Sequence, residues 1–240
     1  MGLFKSEALR SVSGWATLGT ASFVLVIPVF LAGFGTQMEG FDRLDDEAMT
    51  RVLFGVCASA AVVALFHGGY AVSRENYYCS TDRSLVIAGF RNLFVAKAVA
   101  SAFSAVLLGV GALVVSAVVT AIIVLLNGGA VAVTSALAMT AAGALVACAV
   151  CAVIGVATGW IFGDYYTTMT VTFLLPLVVE LPLLMIVPSV ERFLPIGAVA
   201  GLANIPVAEL FPWWVSGLIL VGWMLAAVGT AVAIQRRRVS

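Results

Sequence analysis

The chain has 240 residues, of which 62% are hydrophobic and 10% charged, with 12 acidic and 12 basic side chains and a mean hydropathy of +1.14. Soluble globular domains carry about a quarter charged residues, so this composition excludes an ordinary soluble enzyme, and the lack of any basic excess or stacking platform excludes a nucleic-acid binder. It specifies an all-α integral membrane protein with a single membrane domain, residues 1–240, because no polar segment exceeds roughly two dozen residues.

Residues 1–14 interleave Leu3, Phe4, Ala8 and Leu9 with Lys5, Glu7 and Arg10. That pattern suits a short amphipathic helix lying at the membrane interface. A helix crossing about 30 Å of hydrocarbon needs roughly 20 mostly apolar residues. Six segments qualify: Trp15–Phe34, Val52–Val72, Ala98–Leu126, Ala130–Phe162, Thr168–Val187 and Trp213–Ile234. The fourth is overlong, so part of it must tilt or leave the bilayer. The first follows Lys5 and Arg10 as a secretory signal would. It is longer than the usual core of about 7–15 residues and no small-x-small cleavage site follows, so it reads as an uncleaved span.

Basic residues set the orientation, because Lys and Arg near span ends are retained in the cytoplasm. With both termini cytoplasmic, Lys5, Arg10, Arg74, Arg83, Arg91, Lys97 and Arg236 to Arg238 lie inside, and only Arg43, Arg51 and Arg192 lie outside. The expectation is a multi-pass protein of the cell (cytoplasmic) membrane. The first outer loop, Gly35–Arg51, holds Glu39, Asp42, Asp45, Asp46 and Glu47. It lacks the Asp-x-Asp-x-Asp-Gly spacing of a calcium loop and reads as a solvated acidic connection.

Asn127-Gly128-Gly129 predicts a tight outer turn joining the third and fourth spans as a hairpin. Within the fourth span Gly155, Gly159 and Gly163 recur every four residues, a stripe that lets a neighbouring helix approach closely. Cys57, Cys79, Cys148 and Cys151 are scattered through apolar sequence and read as reduced packing residues rather than a disulfide framework. The C-x-x-C of Cys148 and Cys151 has no nearby charge to activate a thiol. Residues 188–212 are broken by Pro188, Pro195, Pro206 and Pro212. They are too interrupted for a full span and too apolar for a free loop. A re-entrant outer hairpin fits them, the alternative being an interfacial loop anchored by Phe211, Trp213 and Trp214. Glu180 is the one acid in the middle of a predicted span, between Pro176 and Pro182. Ionisable groups at that depth face the bundle interior or a wet cavity. Two roles are open to it: a substrate-pathway or gating residue, or a structural carboxyl bonded to backbone near the prolines.

No catalytic, cofactor-binding or metal-binding set emerges. The only lysines are Lys5 and Lys97 and no G-x-x-x-x-G-K-[ST] occurs, so the chain does not hydrolyse ATP by itself. His67 stands alone in FHGGY, without the further ligands a metal needs. The HGG of that run, without G-x-S-x-G, makes no hydrolase, and neither H-E-x-x-H nor paired intramembrane aspartates support intramembrane proteolysis.

The long polar interruption is residues 73–97, holding Arg74, Glu75, Asp82, Arg83, Arg91 and Lys97, after which no charged side chain occurs until Asp164. Here the sequence resembles the type-2 permease subunits of ATP-binding-cassette exporters. Glu75 matches that family's acid after the second span, Cys79 and Ser80 stand where it carries Gly-Thr, Gly89-Phe90-Arg91 resembles its G-x-R turn, and Lys97 opens the third span. The sequence departs from the pattern at Cys79 and in lacking a proline near Ala88. The six-span layout with an amphipathic lead resembles the family over the whole chain, and the G-x-R form is similar to small permeases of lantibiotic and bacitracin immunity. The resemblance implies a cytoplasmic coupling helix, with Glu75, Arg83, Arg91 and Lys97 serving a separate ATPase subunit that binds the ATP. It also implies a second permease, identical or homologous, and an amphipathic substrate such as an antimicrobial peptide or drug. The competing expectations are a basic anchor on anionic membrane lipid for residues 73–97, and for the whole chain a non-transporting membrane scaffold or accessory subunit. A secondary transporter ranks third, since its halves should echo each other as inverted repeats.

Overall fold

A computed structural model of the chain describes residues 3–12, 15–37, 41, 44–206 and 209–239. Glu39, Asp42 and Arg43 of the acidic loop, and residues 1–2 and 13–14 of the expected interfacial helix, lie outside the described residues. Every regular element among those described is helical. In chain order these are α1 (Leu3–Val12), α2 (Trp15–Gly35), α3 (Asp46–Tyr77), α4 (Thr81–Ala88), α5 (Phe90–Leu126), α6 (Ser135–Phe162), α7 (Tyr165–Ile186), α8 (Pro188–Glu191), α9 (Pro195–Leu202) and α10 (Trp213–Val239). Six of them, α2, α3, α5, α6, α7 and α10, are long and apolar enough to cross a membrane. The protein is an all-α, six-span membrane protein.

Helix ends follow local chemistry. Asp45 caps α3 by accepting from Ala48 N at 2.8 Å, and Asp164 caps α7 by accepting from Thr167 N at 2.7 Å, each satisfying an amide that has no partner in its own helix. At the end of α5, Gly128 takes φ +77° and its amide bonds to Leu125 O, while Gly129 N bonds to Val124 O. This is a Schellman closure, the 5→2 and 6→1 pair that a left-handed residue permits. The end of α3 closes the same way, through Cys79 N to Asn76 O and Ser80 N to Glu75 O, with Cys79 at φ +53°.

The centre of the bundle is the seam between α3 and α6. A Cβ on Gly68 would meet the backbone of Ala152, and a Cβ on Gly155 would meet the carbonyl of Leu65 and lie 2.8 Å from Gly69 N. Small residues therefore bring the two backbones together, as apolar helices in lipid require for close packing. Gly159 continues the seam, its Cβ position 2.8 Å from Val72 Cβ. Gly163 does not. It lies one residue past α6, at φ +69°, where its amide bonds to Gly159 O and ends the helix. Every fourth residue shares a face only while the helix lasts, and the helix has stopped.

Two expected boundaries are redrawn, and two later segments gain detail. Residues 73–97 are not one connection: Ser73–Tyr77 completes α3 and Phe90–Lys97 begins α5, which at 37 residues runs about 55 Å at 1.5 Å per residue. Only residues 78–89 connect the two, and α4 occupies most of that. The fourth span loses its excess because residues 130–134 are not helical. Ala130 N and Ala132 N bond instead to Asp46 Oδ2 at 3.0 Å and Thr50 Oγ1 at 3.3 Å. The fifth span is not a uniform α-helix. Its bonding widens to the i→i+5 pattern over Thr170–Leu174 and Pro176–Glu180, where Pro176 lacks an amide to maintain the regular ladder. Residues 188–212 contain two short helices, of which α9 is buried from Ile196 to Leu202 against α6 and α10.

Candidate functional site

The charged end of the bundle is built where α1, α3 and α5 meet. On α1, Glu7 and Arg10 are one turn apart and face the bundle. Ser11 follows on the same side, whereas Phe4, Leu9 and Val12 are exposed. Glu7 and Ser11 are its buried polar side chains, Lys5 and Arg10 are exposed, and Phe4, Leu9 and Val12 are left for lipid. From α3 comes Glu75, and from α5 comes Lys97.

These four side chains form one ion-pair cluster. Lys97 Nζ donates to Glu75 Oε1 at 2.6 Å, to Glu7 Oε2 at 2.9 Å and to Ala71 O at 3.3 Å. An ammonium has three protons, and each has an acceptor. Arg10 Nη1 lies 3.1 Å from both Glu7 Oε1 and Glu75 Oε1. Two acids and two bases leave the cluster neutral, which is the condition for placing charges in so dry a site. Lys97 is only 2% exposed. Beside it is a cavity of about 20 Å³ whose walls include Arg10, His67, Tyr70, Glu75, Lys97 and Ser101, enough space for a single water. His67 Nε2 pairs with Ser104 Oγ at 3.1 Å, and no cluster of metal-ligating side chains occurs among the described residues.

The structure divides the four residues that the resemblance assigns to ATPase coupling. Glu75 and Lys97 are buried in the cluster, 6% and 2% exposed. They bind the root of α3 to the root of α5. Arg83 and Arg91 are exposed. Arg83 lies on α4, whose outer surface also presents Val86 and Ile87 at 87% and 75% exposure. The helix is fixed at its base, where Thr81 Oγ1 donates to Asn76 Oδ1, and it ends at Gly89, whose φ of +72° turns the chain into α5. Tyr77, Tyr78, Tyr165 and Tyr166 form a chain of ring contacts at this end, as aromatic side chains do at a membrane–water boundary.

Glu180 is far from this cluster, near the opposite end of the bundle. It is buried, and its Oε2 accepts from Ile196 N at 3.0 Å. Its backbone partner belongs to α9 rather than to its own proline-flanked helix. The contact supports the structural role of the two open to it. Sequence reasoning missed Glu7, Arg10 and Glu191 as site residues. Glu7 and Arg10 carried one usable signal, a charged pair at i,i+3 inside an otherwise membrane-seeking helix, but nothing in the spacing announced contacts to residues 75 and 97. No protein-family model and no curated protein matches the chain, so its function is argued from these residues and their geometry.

Proposed function

We propose that the chain is the membrane-spanning permease subunit of an ATP-binding-cassette exporter, resembling the type-2 family. On this reading it lies in the cytoplasmic membrane with both termini and α4 inside. It pairs with a second permease, identical or homologous, to enclose the path of an amphipathic substrate such as an antimicrobial peptide or drug. A separate ATPase subunit binds and hydrolyses the ATP.

The observation that carries this reading is α4: a short helix presenting Arg83, Val86 and Ile87 to solvent while the helices on either side are bound together by Glu75 and Lys97. Two apolar side chains so fully exposed beside a guanidinium are what a protein-docking helix needs, since apolar anchors and Arg dominate interface energies. A docking helix with a stiff root passes a partner's displacement to α3 and α5 as rigid-body motion. Cys79 adds support: it stands where the family carries glycine, and its φ of +53° is a conformation glycine adopts freely.

The test is purification of the tagged chain from its native membrane in lipid-preserving detergent. A P-loop ATPase is expected to copurify, and the double variant Val86→Asp/Ile87→Asp should retain it at least about tenfold more weakly, as loss of a hot spot of roughly 2 kcal/mol implies. Because both side chains are exposed, the variant should melt as the wild type does. A chain that is recovered alone under several such conditions would overturn the exporter reading and favour the scaffold.

A further inference from the structure

Two carboxyl side chains meet beneath the α8–α9 hairpin. Glu180 on α7 and Glu191 at the end of α8 are 6% and 0% exposed. After α8 the chain reverses through Arg192, Phe193 and Leu194, so the first turn of α9 points at both. Ile196 N donates to Glu180 Oε2 at 3.0 Å and Gly197 N to Glu191 Oε1 at 3.2 Å. First-turn amides have no acceptor in their own helix, and here the two acids supply one each. Because these amides belong to consecutive residues, the two carboxyl groups are held side by side. Glu191 Oε2 is buried with no amide, ammonium or hydroxyl donor among the described residues.

Ionised carboxylates are acceptors only. Side by side they have nothing to exchange without a proton, and two acids this close cannot both carry charge in a buried site. The surroundings suit a pair with one negative charge. The N-terminus of a helix contributes roughly half a positive charge, and two amides are already aimed at the oxygens. The same amides and dipole oppose a metal ion in that place. Among the described residues no cationic side chain competes. Arg192 is turned away, its guanidinium 4.5 Å from the centre of the Phe211 ring and 5.2 Å from that of Phe193, with Nη1 donating to Glu209 O at 3.4 Å. The facing helices contribute thiols: Cys151 of α6 is within electrostatic reach of Glu180, with Cys148 of α6 and Cys57 of α3 in the adjoining core. Neither α9 nor α10 before Arg236 contains a titratable side chain. Burial, then the neighbouring carboxyl, pushes Glu191 up from 4.5 to about 7.

We propose that Glu180 and Glu191 form a proton-binding site, in which one proton held between the two carboxyl groups, against the N-terminus of α9, locks the α8–α9 hairpin onto the bundle. Release of the proton places a second negative charge in the same buried space and loosens the hairpin. The site belongs to the chain alone and requires no ATPase partner.

The sign of the pH dependence is fixed by the raised titration. Unfolded, the group titrates near 4.5. Its stabilising contribution is complete below that value and is lost as pH rises to about 7. The experiment is thermal unfolding of the full chain in lipid nanodiscs across that range, with Glu191→Gln and Glu180→Gln as variants and infrared spectroscopy on the same samples. The wild type is expected to lose several degrees of melting temperature as pH rises, and Glu191→Gln, whose amide donates as a protonated carboxyl does, should lose little. A protonated-carboxyl band should be present in the wild type at mildly acidic pH, vanish on alkalinisation and titrate at lower pH in Glu180→Gln, which lacks the neighbouring charge. Three results would overturn the proposal. The first is the same pH-dependent loss in wild type and variants. The second is stabilisation of the wild type alone by sodium or calcium, which identifies a cation site. The third applies even if neither variant folds: a wild-type spectrum with no titrating carboxyl band.

Discussion

Replacing Lys97 with methionine should lower the stability of the folded chain by roughly 3–5 kcal/mol, the usual cost of removing one partner from a buried ion pair. The ammonium satisfies three acceptors on three different elements or turns: Glu7, Glu75 and the carbonyl of Ala71. Without it, two buried carboxylates face each other with Arg10 as their remaining partner, and Arg10 is 52% exposed. Water screens such a charge, so it cannot compensate both acids. Differential scanning fluorimetry in detergent should show the loss, and hydrogen exchange should place it first in α1, which is tied to α3 through these charges. Lys97→Arg should not restore the wild type, because a planar fork cannot place three donors where a compact ammonium does. The triple variant Glu7→Gln/Glu75→Gln/Lys97→Met should recover most of the loss, since the cost comes from uncompensated charge rather than from missing attraction. If Lys97→Met melts with the wild type, the cluster does not fasten α1, and the stiff root assigned to α4 goes with it.

The fold was legible in the sequence because spanning a bilayer demands long apolar helices, and that demand is written in composition. Trp15, Leu126, Phe162 and Trp213 mark helix ends in the structure as the hydropathy predicts. Boundaries failed where polarity and secondary structure part company. Phe90 to Lys97 looks like connection because it is charged, yet it is the first two turns of α5, since a helix carrying Arg91 and Lys97 can continue past the hydrocarbon as long as its amides remain paired. The site was half legible. Glu75 and Lys97 stood out by type and position, but their burial depends on α1 folding back across them from more than sixty residues away in sequence, and no periodicity encodes that. Glu180 was visible as a charge in an apolar run. Glu191 was hidden in a proline-broken segment where an acid is unremarkable, and only the reversal at Arg192 to Leu194 brings the two together.

Gly155→Ala should destabilise the protein strongly, whereas Gly222→Ala should not, and the contrast separates packing from helix propensity. Both substitutions gain up to about 1 kcal/mol of propensity in a helix interior. At Gly222 no atom lies within 4 Å of the added methyl group, so the gain stands or the change is neutral. At Gly155 the methyl group meets the carbonyl of Leu65 and lies 2.8 Å from Gly69 N, all main-chain atoms. No rotamer change can relieve a clash between backbones, so α3 and α6 must move apart along the whole seam, weakening dispersion contacts on both sides. Overpacking costs about 1–3 kcal/mol even where side chains can adjust, and this site should reach or exceed the upper end. Gly68→Ala makes the reciprocal clash, with the carbonyl carbon of Ala152 at 2.9 Å and Val156 N at 3.0 Å. The double variant should therefore cost less than the sum of the singles, because once the seam has opened for one methyl group the second enters space already made, and neighbouring sites are where additivity fails. Melting temperatures of the four proteins in one detergent decide it. Full additivity would show that each glycine is accommodated separately and that the two helices do not share a single rigid seam.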